Sequence, residues 1–422
     1  MKSSSTLKKI RRSVASHNVF IHFSLVLGGI FLLVHWKLLK FQEESHIEIL
    51  RGSRYSKDIT MKDNHSENNS KRTPNDSYCK WDTFTWLEKV HRARMKHLKD
   101  ACAKLKLERK LKTYGHFYVD DEHKLLICPV AKIGCSFWKA VLLITSKRVV
   151  ERNPLDMLSG INSESFPQLN FDPPDVRKIK LDSYTKVIFT RDPLSRLYSA
   201  YQDKFVNFNE VYWGFGKMAV QLFRENATEK SLANGHDITF EEFLRLVVFN
   251  FETLGKVDSH WFTTEHACHP CDTDFDVIGR METFDTDAKY VLCTSGMQNI
   301  IQLPDEDKTA NILRNVRKDT YAAFQRKTAL TNLIFTEREF LDRLVSNFLR
   351  HGYIRFPVSI PLNSTNEEAL QILEKQIQLE ARHSEKFRTA TKDPFKNIPR
   401  DLLDKVMDLY KFDYELFGYE RR

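Results

Sequence analysis

The chain has 422 residues, of which 41% are hydrophobic and 12% aromatic, enough for one large or two ordinary cores. Its 29% of charged residues excludes a polytopic membrane protein, and seven cysteines are too sparse for a disulfide scaffold. A formal net charge of +9 suits a polyanionic partner without choosing among nucleic acid, anionic lipid and an acidic glycan.

Residues 1–18 carry Lys2, Lys8, Lys9, Arg11 and Arg12 and no acidic residue, whereas residues 19–36 are apolar and hold no Asp, Glu, Lys or Arg. A helix of that length just spans a thin bilayer, and the basic tail keeps the N-terminus cytosolic. No small-residue cleavage pattern follows, which argues against a removable signal peptide. Residues 37–85 are polar, with sequons at Asn64, Asn68 and Asn75, and read as a glycosylated lumenal stem. Two further sequons start at Asn226 and Asn363. Residues 86–422 then form the lumenal domain. The expectation is a single-pass type II protein of the Golgi apparatus membrane, laid out as glycan-modifying enzymes are. In that oxidising lumen an odd number of cysteines leaves at least one free or paired between chains.

Residues 81–112 are rich in Leu, Lys, Arg, Ala and Glu and predict a helix. The basic cluster at 92–112 reads chiefly as its solvated face, with a glycan contact as the alternative. Residues 124–130 predict a buried strand, and residues 136–145 a helix with Ser136 at its N-cap. A second strand–loop–helix unit follows. It comprises the strand 186–190, the turn Arg191-Asp192-Pro193 and a helix over 194–207 with Leu194, Leu197, Tyr198, Tyr201 and Phe205 on one face. Residues 275–279 read as a further strand. Thr239 with Glu242, Thr336 with Glu339 and Thr365 with Glu368 have capping-box spacing, and each predicts a helix start. A last helix runs from Pro399 to Phe412. Strands alternating with helices predict an α/β domain with a parallel sheet and extra helices.

Two loops carry chemistry. The first comprises Ala131, Lys132, Ile133, Gly134, Cys135, Ser136 and Phe137. A helix N-terminus offers unpaired N–H groups and a partial positive charge, and Gly134 permits close backbone approach. With the Lys132 cation and the Ser136 hydroxyl, these parts make a phosphate cradle. It lacks the G-x-x-x-x-G-K-[ST] motif and a magnesium ligand, which argues against a kinase. The second loop comprises Arg191, Asp192, Pro193, Leu194, Ser195, Arg196, Leu197, Tyr198 and Ser199. Arg191 lies just past a strand end, where α/β proteins bind ligands, and Ser199 lies on the helix that follows. An arginine fork and a hydroxyl suit a second phosphate. Each loop alone is equally well an ordinary turn; two phosphate sites behind successive strands suit a bisphosphonucleotide.

These segments resemble the membrane-bound carbohydrate sulfotransferases of the chondroitin 4-O-sulfotransferase type. Residues 132–139 are similar to that family's 5′-phosphosulfate loop, with Pro129 displaced by two residues, and residues 191–205 to its 3′-phosphate segment. Weaker similarity touches His260-Trp261, Cys268 to Cys271, residues 275–283 and residues 410–419. Residues 294–383 show no resemblance and look like an expansion. The resemblance implies a parallel-sheet, P-loop-like sulfotransferase domain behind one transmembrane helix. It implies PAPS (3′-phosphoadenylyl sulfate) as donor, no metal, and transfer of a sulfonate to a hydroxyl of an acidic glycosaminoglycan. The 4-position of N-acetylgalactosamine in chondroitin or dermatan is favoured, and nucleic acid is not an expected partner. N-glycan or glucuronic acid termini, or a non-catalytic Golgi glycan-binding protein, are the alternatives.

Attack on sulfur in line requires charge to be neutralised on the leaving phosphate oxygen, where Lys132 is placed. It also requires a base for the acceptor hydroxyl. His260 is the expected base, since Trp261 beside it offers an aromatic face of the kind that borders sugars. A structural role for His260, or a Glu or Asp from residues 294–383, is the alternative. Cys268 and Cys271 are expected to be oxidised, with each other or with other partners; a zinc half-site lacks its second ligand pair. Cys135 reads as small and packed. Glu282 matches the family-like stretch or simply pairs with a nearby cation.

Overall fold

The computed structural model describes residues 78–79, 81–107, 115–157, 161, 164–303, 308–330, 335–382 and 393–422. The tail, the apolar run 19–36 and the sequons at Asn64, Asn68 and Asn75 lie outside them. Among the described residues no helix is long and apolar enough to cross a membrane.

Helix α1 (Trp81–Leu105) ends short of the expected Lys112, and residues 108–114 lie outside the described residues. Arg92, Lys96 and Lys99 form a solvated face as expected, but Arg94 turns inward. Its guanidinium donates to the Ile278 carbonyl and to Asp287, each at 2.9 Å, which docks the helix on the sheet.

Three short parallel strands position the chemistry. β1 (Tyr118–Asp120) pairs antiparallel with β2 (Leu125–Cys128), while β2, β3 (Thr185–Thr190) and β4 (Val277–Arg280) run parallel in the order β1-β2-β3-β4. Ile127 pairs with Val187, and Val187 with Val277, in one row through the middle of the sheet. β2 is buried along its whole length and β3 at all but its first residue, which is why both read as unbroken apolar runs. The parallel sheet is as expected. β1 is an addition, because three residues carry too little pattern to announce a strand.

α2 (Cys135–Thr145) follows β2. Its N-cap is Gly134 and not Ser136, because the chain enters the helix through a left-handed residue that favours glycine. α3 (Pro174–Ser183) precedes β3, and α4 (Pro193–Tyr201) follows it. The helix expected through Asn207 instead widens into a π-turn over Gln202–Val206. Next come α5 (Trp213–Phe223), α6 (Glu229–Asn234), α7 (Phe240–Phe249), α8 (Thr264–Cys268) and, after β4, α9 (Phe284–Thr294).

Residues 294–383 build α10 (Lys308–Leu330), α11 (Glu337–Arg350) and α12 (Asn366–Arg382). The capping boxes at Thr239 and Thr336 are formed, and Thr365 exchanges the same pair of bonds with Glu368. The single helix expected at the C-terminus is two, α13 (Arg400–Leu409) and α14 (Lys411–Phe417). The bend at Tyr410 brings the buried Asp413 carboxylate onto α8, where it accepts from the N–H groups of Thr264 and Glu265 at 2.8 Å each.

One apolar core surrounds the sheet, a second fills the space among α4, α5, α7 and α13, and a third gathers α10, α11 and α12 around Val316, Phe348 and Leu373. Disulfides join Cys79 to Cys293, Cys102 to Cys271 and Cys128 to Cys268, leaving Cys135 free. Cys268 and Cys271 are thus oxidised, but to distant partners and not to each other. With both sulfurs so engaged, neither is available to zinc.

Candidate active site

The first loop leaves the C-terminal end of β2 and makes two left-handed turns, at Lys132 (φ 67°) and Gly134 (φ 72°). A Cβ at Gly134 would lie 2.3 Å from the Phe284 ring, so no larger residue fits. Gly134 supplies no side-chain cap, and the N–H groups of Cys135, Ser136 and Phe137 in the first turn are left for a ligand. Ile133 is buried beneath the loop while Ser136 is exposed above it. Backbone donors, a helix dipole and a lysine at one turn fit a phosphate group.

Two arginines of the second loop hold the first in place. Arg191 donates to the Lys132 carbonyl at 3.2 Å. Arg196, only 1% exposed, donates to the carbonyls of Ala131 at 2.9 Å and Ser259 at 3.4 Å, and to that of Phe262. Its guanidinium is spent on three carbonyls, so Arg196 is a cross-tie between both loops and the His260 stretch. Burial lowers the pKa of Arg191, which Glu282 and Asp192 oppose by their negative charge.

The remaining residues of the second loop divide cleanly. The Asp192 side chain caps α4 by accepting from the Ser195 N–H at 2.7 Å. Pro193, Leu194 and Leu197 are buried, and Tyr198 packs edge-on against Phe240. Arg191, Ser195 and Ser199 keep polar side chains partly open to solvent. Glu282 accepts from the Asp192 N–H at 3.1 Å and from the Tyr419 hydroxyl at 3.0 Å, so it joins the C-terminal stretch to the second loop.

A cleft of about 720 Å³ opens beside the first loop, lined by Lys132, Ser136 and Phe137, by Asp203 and Lys204 of the π-turn, and by one face of α10. Asp203 lies 2.9 Å from the Lys132 ammonium and 3.2 Å from that of Lys204. Burial alone would raise the Asp203 carboxyl; the two lysines override it and hold it well below the usual carboxylate range. On α10, burial pushes the Asp319 carboxyl up to about 6. Sequence reasoning missed Asp203 and Lys204 as site residues, although they fall within the family-like segment 191–205. It left Asp319 unnamed, since its helix shows no motif.

His260 stands one layer behind. Its Nδ1 lies 2.7 Å from the Asp258 carboxylate and 3.0 Å from the Tyr212 hydroxyl, and the Lys204 ammonium sits 4.4 Å from the centre of the Tyr212 ring. Burial lowers the His260 pKa, with Asp258 opposing, so the imidazole is neutral at neutral pH. His260 is not among the residues that line the cleft, but it lies within electrostatic reach of Asp203 and Lys204, which are. Trp261 is fully buried between Phe215 and Phe243, each 5.5 Å away, and is a core residue, not a face for sugar. Among the described residues no group of three or more His, Cys, Asp or Glu could hold a metal ion.

The profile of the sulfotransferase family matches residues 115–351, a span that takes in both loops, the π-turn, His260 and α10. The match therefore continues into the segment that shows no resemblance by motif. Carbohydrate sulfotransferase 9 of Homo sapiens is 32% identical over 260 residues, covering 59% of this chain and 54% of that protein. Carbohydrate sulfotransferase 11 of Rattus norvegicus is 29% identical over 285 residues, covering 63% and 78%. Carbohydrate sulfotransferase 8 of Mus musculus is 28% identical over 274 residues, covering 62% and 64%. The chain thus spans about half the length of the human relative. No solved structure matches it.

Proposed function

The chain belongs to the sulfotransferase family, and we propose that it transfers a sulfonate from PAPS to a glycan hydroxyl in the cleft between Lys132 and α10. The observation that carries this reading is the uncapped N-terminus of α2 beside a lysine, at the C-terminal end of a parallel strand and open to a large cleft. The first-turn N–H groups of α2 hold the 5′-phosphate, and Arg191 with Ser199 holds the 3′-phosphate. As the acceptor oxygen bonds to sulfur, the bond from sulfur to the phosphate oxygen breaks and its electron pair stays on that oxygen. The Lys132 ammonium neutralises this charge as it develops. Held by Asp258, His260 fixes the Tyr212 hydroxyl beside Lys204 and acts as a positioning residue.

The acceptor in this proposal is an acidic glycosaminoglycan. Arg314, Lys318 and Arg326 place three cationic side chains on the face of α10 that lines the cleft, and the chain as a whole carries a net charge of +9. The 4-position of N-acetylgalactosamine in chondroitin or dermatan follows from the resemblance of the donor loops to the 4-O-sulfotransferase type. The Golgi membrane as location and the type II orientation rest on residues 1–36 and on the sequons, of which Asn226 and Asn363 are exposed.

Full-length protein in detergent, given labelled PAPS and a panel of desulfated glycosaminoglycans and N-glycans, tests the reading. Label on chondroitin at the 4-position of N-acetylgalactosamine is the expected result. Label on another sugar would move the acceptor, and no label on any glycan would remove the activity. Peptide N-glycosidase should lower the apparent mass, and a C-terminal tag should resist protease in sealed vesicles.

A further inference from the structure

Two acidic residues line the cleft, Asp203, which Lys132 and Lys204 hold between them, and Asp319. Asp319 lines the same cleft as Lys132 and Ser136, and among the described residues no hydrogen-bond donor or cation within bonding distance pairs with its carboxyl. Carboxylates out of full contact with water are ordinarily paired, so an unpaired one in a cleft is a functional candidate. The helix makes room beside it. Ala322, three residues on, is exposed in the same cleft and leaves open space where a longer side chain would fill it.

We propose that Asp319 is the general base that takes the proton from the acceptor hydroxyl. The inference rests on the sulfotransferase reading above. The acceptor O–H bond breaks as its oxygen bonds to sulfur, the proton passes to an Asp319 carboxylate oxygen, and the electron pair of the cleaved S–O bond leaves on the phosphate. Proton acceptor and leaving-group cation then stand on different walls, Asp319 on α10 and Lys132 on the loop before α2, as an in-line displacement requires. His260 is less well placed, since it does not line the cleft and its Nδ1 is taken up by Asp258 and Tyr212.

Several charges bear on Asp319. Burial raises its pKa, Lys318 of its own helix lowers it, Asp203 of the π-turn raises it and Lys132 lowers it, for a result of about 6. Tyr353, beyond α11, senses the Asp319 charge in turn, and His351 at the end of α11 senses Lys132 and Asp203. A base of this kind is ionised at neutral pH, and activity declines below about pH 6 as it takes up its proton.

The test compares full-length wild type, Asp319→Asn, Asp319→Glu and His260→Gln in detergent, with labelled PAPS and desulfated glycosaminoglycans. Transfer is followed across pH, and binding of the product nucleotide and the melting temperature are followed alongside. Asp319→Asn should lower kcat roughly 10²–10⁴-fold, leave nucleotide affinity within a few-fold, and abolish the acid limb of the pH profile. Asp319→Glu should retain part of the activity and displace that limb. If Asp319→Asn fails to fold, Asp319→Glu decides, and an unmoved limb overturns the proposal. A kcat within a few-fold of wild type in Asp319→Asn overturns it, as does an acid limb that persists there and disappears in His260→Gln. If the wild type transfers to no acceptor, the sulfotransferase reading and this proposal fall together; an active wild type with an indifferent Asp319 removes this proposal alone.

Discussion

The Lys132 ammonium and the Asp203 carboxylate sit 2.9 Å apart beside the phosphosulfate loop, and Lys204 shares the same carboxylate. One carboxylate therefore partners two cations in the wall of the cleft. Asp203 also belongs to the π-turn, a widening of the helix that recurs at functional sites.

Removing either partner separates their roles. Lys132→Ala should lower kcat by about 10²–10³-fold with a smaller effect on nucleotide affinity, because its cation acts on charge that appears during transfer. A normal kcat at saturating PAPS would dissociate Lys132 from the leaving oxygen. Asp203→Asn leaves two unbalanced ammoniums, so nucleotide should bind more tightly at low salt and with a steeper salt dependence, measurable by calorimetry at two ionic strengths. The Asp203 carboxyl is depressed in the folded protein, so its stabilisation is present above the ordinary aspartate value of about 4 and is lost as pH falls towards the folded value. The melting difference between wild type and Asp203→Asn should accordingly shrink on acidification below that point.

Arg196→Met should destabilise the domain and loosen the donor site together. The variant leaves the carbonyls of Ala131, Ser259 and Phe262 without their donor, and a buried group so abandoned costs about 1–3 kcal/mol. A lower denaturation midpoint with weaker nucleotide binding is the expected pair of results. Full stability with lost binding would instead make Arg196 a ligand contact.

Gly134→Ala should abolish nucleotide binding and cost more than about 1 kcal/mol, since the left-handed backbone alone disfavours alanine by that much. The new Cβ also meets the Phe284 ring. Because Phe284 also packs on Phe137 and Phe189, Phe284→Ala is destabilising in itself, and the loss in the paired variant Gly134→Ala with Phe284→Ala should be smaller than the sum of the two single losses, which denaturant titration would show.

Alkylation under denaturing, non-reducing conditions should label Cys135 and leave Cys79, Cys102, Cys128, Cys268, Cys271 and Cys293 unlabelled. Replacing both Cys128 and Cys268 by alanine releases a loop closed over 140 residues and should cost about 2–5 kcal/mol in denaturant titration. A peptide joining Cys268 to Cys271 would contradict the pairing.

The two strand–loop–helix units were readable because their signals are local. β2 and β3 are apolar runs that end at a turn and a helix start, and each such unit fits within about twenty residues. What escaped was decided by tertiary contacts. The left-handed entry at Gly134 moved the N-cap by two residues from Ser136. Nothing in the spacing of Arg191 and Arg196 tells which guanidinium faces a ligand and which is buried on carbonyls; only the packing of residues 259–262 against the first loop settles that. Asp319 sits in an ordinary amphipathic helix, and its pressure to protonate comes chiefly from burial in the folded cleft, with Asp203 of the π-turn adding to it, neither of which the helix's own spacing announces. The Cys268 and Cys271 partners were equally hidden, since spacing alone does not set connectivity.

The cleft draws its two walls from differently packed material. The first loop stands on the core around Leu125, Val187 and Ile278 and the second on the core around Leu197 and Phe243, whereas α10 is braced by α11 and α12 around Val316, Phe348 and Leu373. The two loops and the helical layer meet chiefly through the segment 205–213, and side chains with few shared packing partners vary with little mutual penalty. The helical layer is therefore an interchangeable part: its contour can be recut by successive substitutions while the nucleotide loops keep their geometry. If the cleft binds the acceptor as proposed, a lineage built on this plan can diversify the sugars it accepts and retain a single donor.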